Sequence, residues 1–212
     1  MDMYGEKLIK RYPELIVCKK EIFNAYEIIR KSFENGGKLL VAGNGGSAAD
    51  SEHIVGELMK SFKLKRKINT EYKNKLKLIS DDMGEFLAEN LQGALPTIAL
   101  DTQVALVTAY KNDCEPVLCF AQQVNGYGKE QDVFLAISTS GNSKNIIYAA
   151  IVAKAKGMKV VGLTGAKKSV LSEIADITVR VPQEETYLIQ ELHLPIYHCW
   201  CLMLERYFFG GV

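Results

Sequence analysis

Five short runs, "KLLVAG" (38–43), "PTIAL" (96–100), "DVFLAIS" (132–138), "KVVGLTG" (159–165) and "DITVRV" (176–181), are spread along the chain, and most are apolar nearly throughout. A strand with one wet face alternates polar and apolar residues; a strand covered on both faces does not. Stretches of helical pattern at 47–62, 103–110, 115–127 and 143–156 lie among the runs. This alternation predicts an α/β fold, a parallel sheet with helices on both sides. Two further helices are expected to flank the core. One, over 5–34, ends before the glycine stop "NGGK"; the other, over 186–208, is apolar and rich in aromatic residues. Long terminal helices with this much apolar surface suit packing against a partner subunit.

One stretch fits this frame poorly. "KLKRKINTEYKNKLKLISDDMGEFLAENLQGAL" (63–95) is highly charged in its first half and reads as a loop plus a short helix, its charges forming a solvated face. A chain of 212 residues suits one domain, or one domain with an insertion, here placed at 64–94. A formal net charge of +1 gives no bulk argument for nucleic acid or a membrane surface as partner. The N-terminus "MDMYGEKLIKRYPEL" is too polar for a signal peptide, and no apolar run approaches a bilayer span. Five scattered cysteines without a C-x-x-C pair read as reduced thiols, so a cytoplasmic location is expected.

Two turns carry chemistry. "GNGGS" (43–47) follows the first run and opens a helix. Its glycines let backbone approach a ligand closely, the first helical N–H groups point outward, and Ser47 is placed to cap the helix. The alternative is a tight strand–helix connection that binds nothing. "AISTSGNSKNI" (136–146) follows the third run and brings Ser138, Thr139, Ser140 and Ser143 within six residues. A helix cap needs one hydroxyl, so this excess points to a nest for phosphate. In an open α/β sheet both turns lie at the carboxyl ends of strands, where ligands bind.

The three histidines are His53, His193 and His198. His53 and Glu57 are four apart and stack on one helix face, as a surface pair or as groups reaching a ligand at the turn. On the last helix Gln190 and His198 lie within about 80° of each other, whereas His193 sits about 140° from His198 and reads as a packing residue. Pro195 is expected to loosen the helix between them. His53, Glu57, Gln190 and His198 could together make a four-ligand site for a divalent metal such as zinc.

"GNGGSAADSEH…E", "ISTSGNS" and "IQELH….H" together resemble the sugar isomerase (SIS) domain family, and within it the phosphoheptose isomerases, over most of the chain. The resemblance implies a three-layer sandwich with a five-stranded parallel sheet, and a homotetramer with sites at subunit interfaces. It also implies conversion of sedoheptulose 7-phosphate to D-glycero-D-manno-heptose 7-phosphate through a cis-enediol, for surface-glycan heptose. On matching positions it assigns substrate contacts to Asn44, Gly45, Gly46, Ser47, Glu57, Asn112, Asp113, Ser138, Thr139, Ser140, Ser143 and Gln190. It assigns zinc to His53, Glu57, Gln190 and His198, and acid–base work to Glu57 and His198. Two departures stand out: about thirty residues intervene before "LPTIAL", and Ser61 stands where the family often has arginine. Two other readings follow from the same resemblance. One is a non-catalytic SIS protein of the replication-initiator-associating type; the other is an isomerase for another sugar phosphate, such as arabinose 5-phosphate.

Overall fold

The computed structural model describes residues 3–210. Strands β1 (Leu39–Ala42), β2 (Thr97–Ala99), β3 (Val133–Ile137), β4 (Lys159–Thr164) and β5 (Ile177–Arg180) form one parallel sheet in the order β2-β1-β3-β4-β5. Leu39 is paired with Thr97 on one side and Val133 on the other. Every residue of β1 and β3 is buried, which is why those runs show no alternation. The alternation is spatial instead. Leu39 and Val41 join Leu135 and Ile137 in one core, and Leu40 and Ala42 join Phe134 and Ala136 in the other.

The first core is closed by α2 (Lys19–Glu34), α3 (Gly46–Met59) and α10 (Thr186–Phe209), through Ile22, Ile29, Ile54 and Trp200. The second is closed by α7 (Cys119–Tyr127) and α8 (Lys144–Ala155), through Phe120, Val124, Ile146 and Ala150. The chain leaves β1 toward β2 on one side, and its later strands lie on the other. The carboxyl ends of β1 and β3 therefore flank the point where the strand order reverses, the usual place for a ligand in such a sheet.

Four sequence expectations change. The helix expected over 5–34 is broken into α1 (Met3–Arg11), a 3-10 turn at Pro13–Cys18, and α2. Pro13 lacks an N–H and pushes Tyr12 out of helical geometry, to φ −131 and ψ 73. Pro195, by contrast, does not interrupt α10, which runs unbroken past it. The carbonyl that loses its partner belongs to Glu191, an exposed residue, so water can satisfy it. The stretch expected as loop plus short helix holds two ten-residue helices, α4 (Thr70–Ile79) and α5 (Asp81–Asn90), which pack as a hairpin. Asn69 caps the first by accepting from the Tyr72 amide at 2.7 Å. Gly84 lets the second approach, since a Cβ there would lie 2.2 Å from the Leu76 carbonyl oxygen. Finally, a short α9 (Val170–Ile174) follows β4. Its signal is the reciprocal capping box of Ser169 and Ser172, but five residues are too few to show a period.

The expected helix at 103–110 is α6 (Val104–Asp113), and the one at 115–127 is a 3-10 turn at Pro116–Leu118 leading into α7. All five cysteines are free, and Cys114 alone among them is exposed. Among the described residues no helix is long and apolar enough to cross a membrane.

Candidate active site

The turn after β1 is shaped by its glycines. A Cβ on Gly43 would lie 2.2 Å from the Ser47 carbonyl oxygen, and Gly45 sits at φ +57. Ser47 does not cap α3: Gly45 holds the capping position, and Ser47 is buried as the second residue of the helix. The Ser47 and Ala48 amides bond back to the carbonyls of Asn44 and Gly45. Asn44, Gly45 and Gly46 are exposed at the crest of the turn. Gln190, arriving on α10, lays its side-chain amide over Gly46, where a Cβ would come within 2.7 Å of its Nε2.

The turn after β3 is preorganised by its own hydroxyls. Ser138 is buried, and its Oγ is 3.1 Å from Ser143 Oγ. The Ser140 Oγ accepts from the Asn142 amide at 3.2 Å. Gly141 takes φ +65, and the Asn142 side chain spans the bend, donating to the Ser140 carbonyl and accepting from the Val170 amide. Ser143 starts α8 without a side-chain cap, so its hydroxyl is turned toward Ser138 instead. The two turns are tied together by a reciprocal amide pair. Asn44 donates to Asn145 at 3.0 Å and accepts from it at 2.8 Å.

Beside the first turn, α3 and α10 bring three titratable side chains together. His53 Nε2 is 3.4 Å from Glu57 Oε1 and 3.3 Å from His198 Nε2. The second Glu57 oxygen lies 3.4 Å from Lys60 Nζ. Tyr197 backs this group: its hydroxyl donates to Asp50 at 3.0 Å and sits 3.1 Å from His53 Nδ1. A phenol has one proton. Because that proton goes to Asp50, the oxygen accepts from His53 Nδ1–H, and the His53 Nε2 lone pair faces Glu57 and His198. Burial and the neighbouring Asp50 push the Tyr197 hydroxyl well above its ordinary range, so it keeps that proton. Burial and then the neighbouring His53 hold His198 below the usual imidazole value, with Glu57 opposing. Its neutral form is favoured, as proton exchange requires. His198 lines a cavity of about 280 Å³ whose walls are mostly apolar and aromatic, with Lys7, Arg11 and Lys63 among them.

The SIS domain profile matches residues 7–76 and 82–165. A phosphoheptose isomerase of Thermodesulfovibrio yellowstonii is 35% identical, covering 96% of this chain and 92% of that one. Two solved structures share the architecture. A phosphoheptose isomerase from Francisella tularensis superposes with a TM-score of 0.72 at 32% identity, over 95% of this chain and 97% of that one. One from Neisseria gonorrhoeae gives 0.70 at 28%, over 94% and 97%. The chain belongs to the SIS domain family, with the phosphoheptose isomerases.

In this SIS chain the structure gathers His53, Glu57 and His198, and sets Gln190 over Gly46 at the edge of the group. Asn112 and Asp113 end α6, exposed and bonded to each other at 2.9 Å. That helix packs on α7 and the Pro116–Leu118 turn, and no hydrogen bond joins either residue to the histidines. Among the described residues no group of three or more His, Cys, Asp or Glu side chains is arranged to hold a metal ion.

Several SIS-site residues carried no sequence signal. Arg66 is buried and donates to the carbonyls of Leu58 at 2.7 Å and Glu57 at 2.8 Å, closing the end of α3 that carries Glu57. Its Nε pairs at 2.8 Å with Glu205, whose carboxylate also accepts the amides of Phe62, Lys63 and Leu64. Burial opposes ionisation of Glu205, but those amides and Arg66 outweigh it and hold the carboxyl below its usual range. Arg66 and Glu205 are 139 residues apart, so no local pattern links them. Tyr197 and Asp50 went unnoticed for the same reason, 147 residues apart in sequence.

His193, expected as a packing residue, is fully buried on α10. Burial drives its pKa down to about 4, with the Thr164 backbone opposing. Asp101, just beyond β2, has both carboxylate oxygens buried without a partner, and burial raises it to about 6.

Proposed function

We propose that the protein is an aldose–ketose isomerase acting on sedoheptulose 7-phosphate and yielding D-glycero-D-manno-heptose 7-phosphate. One observation carries the reading. A carboxylate and an imidazole each lie within 3.4 Å of His53 beside the first turn, which Asn44 ties to the turn whose hydroxyls are already oriented. The hydroxyls of Ser138, Thr139, Ser140 and Ser143 take the phosphate, and Asn44, Gly45 and Gly46 face the sugar chain. Glu57 removes the proton from C1 and returns it to C2 on the same face, passing through a cis-enediol. His198 gives a proton to O2 and takes one from O1, so the protons balance over the cycle. Lys60, beside Glu57, supplies positive charge as the enediolate forms.

The reading includes one zinc ion per chain, for which His53, Glu57 and His198 would have to draw together from their present arrangement, with Gln190 as fourth ligand. Ligand atoms about 2.0–2.1 Å from a tetrahedral centre stand about 3.3–3.4 Å from each other. The two separations from His53 Nε2, 3.4 and 3.3 Å, are of that size. The Tyr197 oxygen on Nδ1 is the outer partner that orients such a ligand. Bound there, zinc would supply Lewis-acid polarisation to the substrate's oxygens. The two Glu57 oxygens face different neighbours, His53 and Lys60, so one can be held while the other takes the proton. A homotetramer in the cytoplasm, with Asn112 and Asp113 presented at the substrate across subunits, completes the proposal.

The test is a panel of C5 to C7 sugar phosphates, read as exchange of the C1 and C2 protons with solvent. The seven-carbon ketose phosphate is expected to exchange fastest. Exchange with none of the panel replaces the enzyme by a sugar-phosphate-binding SIS protein. Faster exchange on a five-carbon substrate reassigns the sugar but keeps the chemistry.

A further inference from the structure

The hairpin of α4 and α5 exposes apolar surface that no other described residue covers. Leu78 is 86% exposed, Ile79 84%, Met83 70% and Phe86 65%. No residue of α4 is buried, and α5 buries only Gly84 and Ala88. The two legs of the hairpin close on each other at its base, where Lys67 bridges to Gln92. Four large apolar side chains gathered at the tip of an outlying hairpin form a patch of the kind that marks an interface. Isolated ten-residue helices are marginal in water and gain their stability from packing.

The charges on the two helices are segregated. α4 carries Lys73, Lys75 and Lys77 against one acid, Glu71. α5 carries Asp81, Asp82, Glu85 and Glu89 and no base. One ion pair, Lys77 to Glu85 at 2.7 Å, crosses between the helices, and Lys75 pairs within its own helix with Glu71. Among the described residues Lys73, Asp82 and Glu89 make no ion pair, so charge of both signs is left to face outward.

We propose that the hairpin is a self-association element, two copies of this chain packing hairpin on hairpin about a two-fold axis to form an antiparallel four-helix bundle. A two-fold contact uses the same patch on both chains, so the patch must complement itself. An apolar tip does so in any orientation; the charges select one. Laying α4 on the partner's α4 sets lysines against lysines. Laying α4 on the partner's α5 sets lysines against carboxylates twice over, once on each side of the axis. The axis therefore runs along the hairpin, with the apolar tip residues meeting in the middle.

The inference is independent of the isomerase reading, because mass reports the first and proton exchange the second. The full chain and its variants are compared by sedimentation over a micromolar concentration range, with circular dichroism confirming that each is folded. Ile79→Glu with Phe86→Glu is expected to halve the mass or weaken association at least tenfold. Lys73→Glu with Lys75→Glu makes both helices acidic, and Asp82→Lys with Glu89→Lys makes α5 more basic. Each charge variant is expected to associate less with itself than the parent does, and a mixture of the two to recover the parent's mass. A parent that sediments as a single chain overturns the proposal, as does an unchanged mass for the Ile79→Glu, Phe86→Glu variant. A mixture no heavier than its components overturns the pairing of α4 with α5.

Discussion

Two regions meet between residues 59 and 66 and are held together by opposite means. On one side, α3 and α10 bury polar groups that satisfy each other: Arg66 with Glu205 and the carbonyls of Glu57 and Leu58, Tyr197 with Asp50 and His53. On the other, α4 and α5 leave Leu78, Ile79 and Phe86 to solvent and join through small residues. A buried polar network fixes atoms in one arrangement, because leaving any member unpaired is costly. An exposed apolar face fixes nothing within its own chain and becomes ordered by what covers it. The first region has the rigidity that proton transfer needs; the second has surface suited to assembly.

The largest expected effect lies at the centre of the first region. Glu57→Gln is expected to lower turnover of the heptose phosphate by about a hundredfold to ten-thousandfold, the range for a lost general base. Substrate binding by calorimetry should persist. Full turnover by this variant would remove Glu57 from the chemistry and leave its region merely structural.

Glu205→Gln tests whether the network holds the site. Breaking one side of a buried pair costs about 3–5 kcal/mol, because the remaining charge stays buried. Urea unfolding should show a loss of that size, and a change below about 1 kcal/mol, the scale of an exposed ion pair, would place the pair in solvent.

Tyr197→Phe removes the acceptor for His53 Nδ1 while keeping the ring. Zinc affinity, measured by competition with a chelator, is expected to fall about tenfold to a hundredfold, as for other outer partners of metal-bound histidine. An unchanged affinity would show that the phenol does not set the His53 tautomer.

His193 gives the polar region a pH signature. Its native pKa of about 4 lies below the ordinary value of 6.5. Between these values the unfolded chain binds a proton that the native chain refuses, so stability falls as pH falls from 6.5 toward 4. By pH 5 the loss is about 2 kcal/mol. Replacement of His193 by Gln should flatten that part of the pH dependence in urea titrations; an unaltered slope would assign it to carboxylates.

The smallest effect belongs to the hairpin. With association suppressed by dilution, Ile79→Glu with Phe86→Glu is expected to change the stability of the single chain by no more than about 0.5 kcal/mol, as exposed positions do. A larger loss would mean that the tip packs within its own chain, and the contrast between the regions would disappear.

The strands, the two turns and the His53–Glu57 pair were legible because their causes are local. A strand covered on both faces must be apolar along its length, a turn that cradles an anion needs glycines and hydroxyls in a fixed order, and side chains four apart on a helix share a face. The hairpin was not legible as two helices because neither buries a face of large residues, so no apolar period develops. The break at Pro13 was written in the chain, yet the helical pattern on both sides of it read as one element.

The sequence by itself determined the alternating α/β order, the two turns at strand ends and the family motifs, since each is written in neighbouring residues. Only the tertiary structure decided that Asn44 would clasp Asn145, that Arg66 would close α3 with a carboxylate 139 residues away, and that Tyr197 would stand between Asp50 and His53. Such contacts depend on the packing of α3 and α10 and on strands pairing out of sequence order, and a one-dimensional pattern carries no record of which distant residues those arrangements bring within reach.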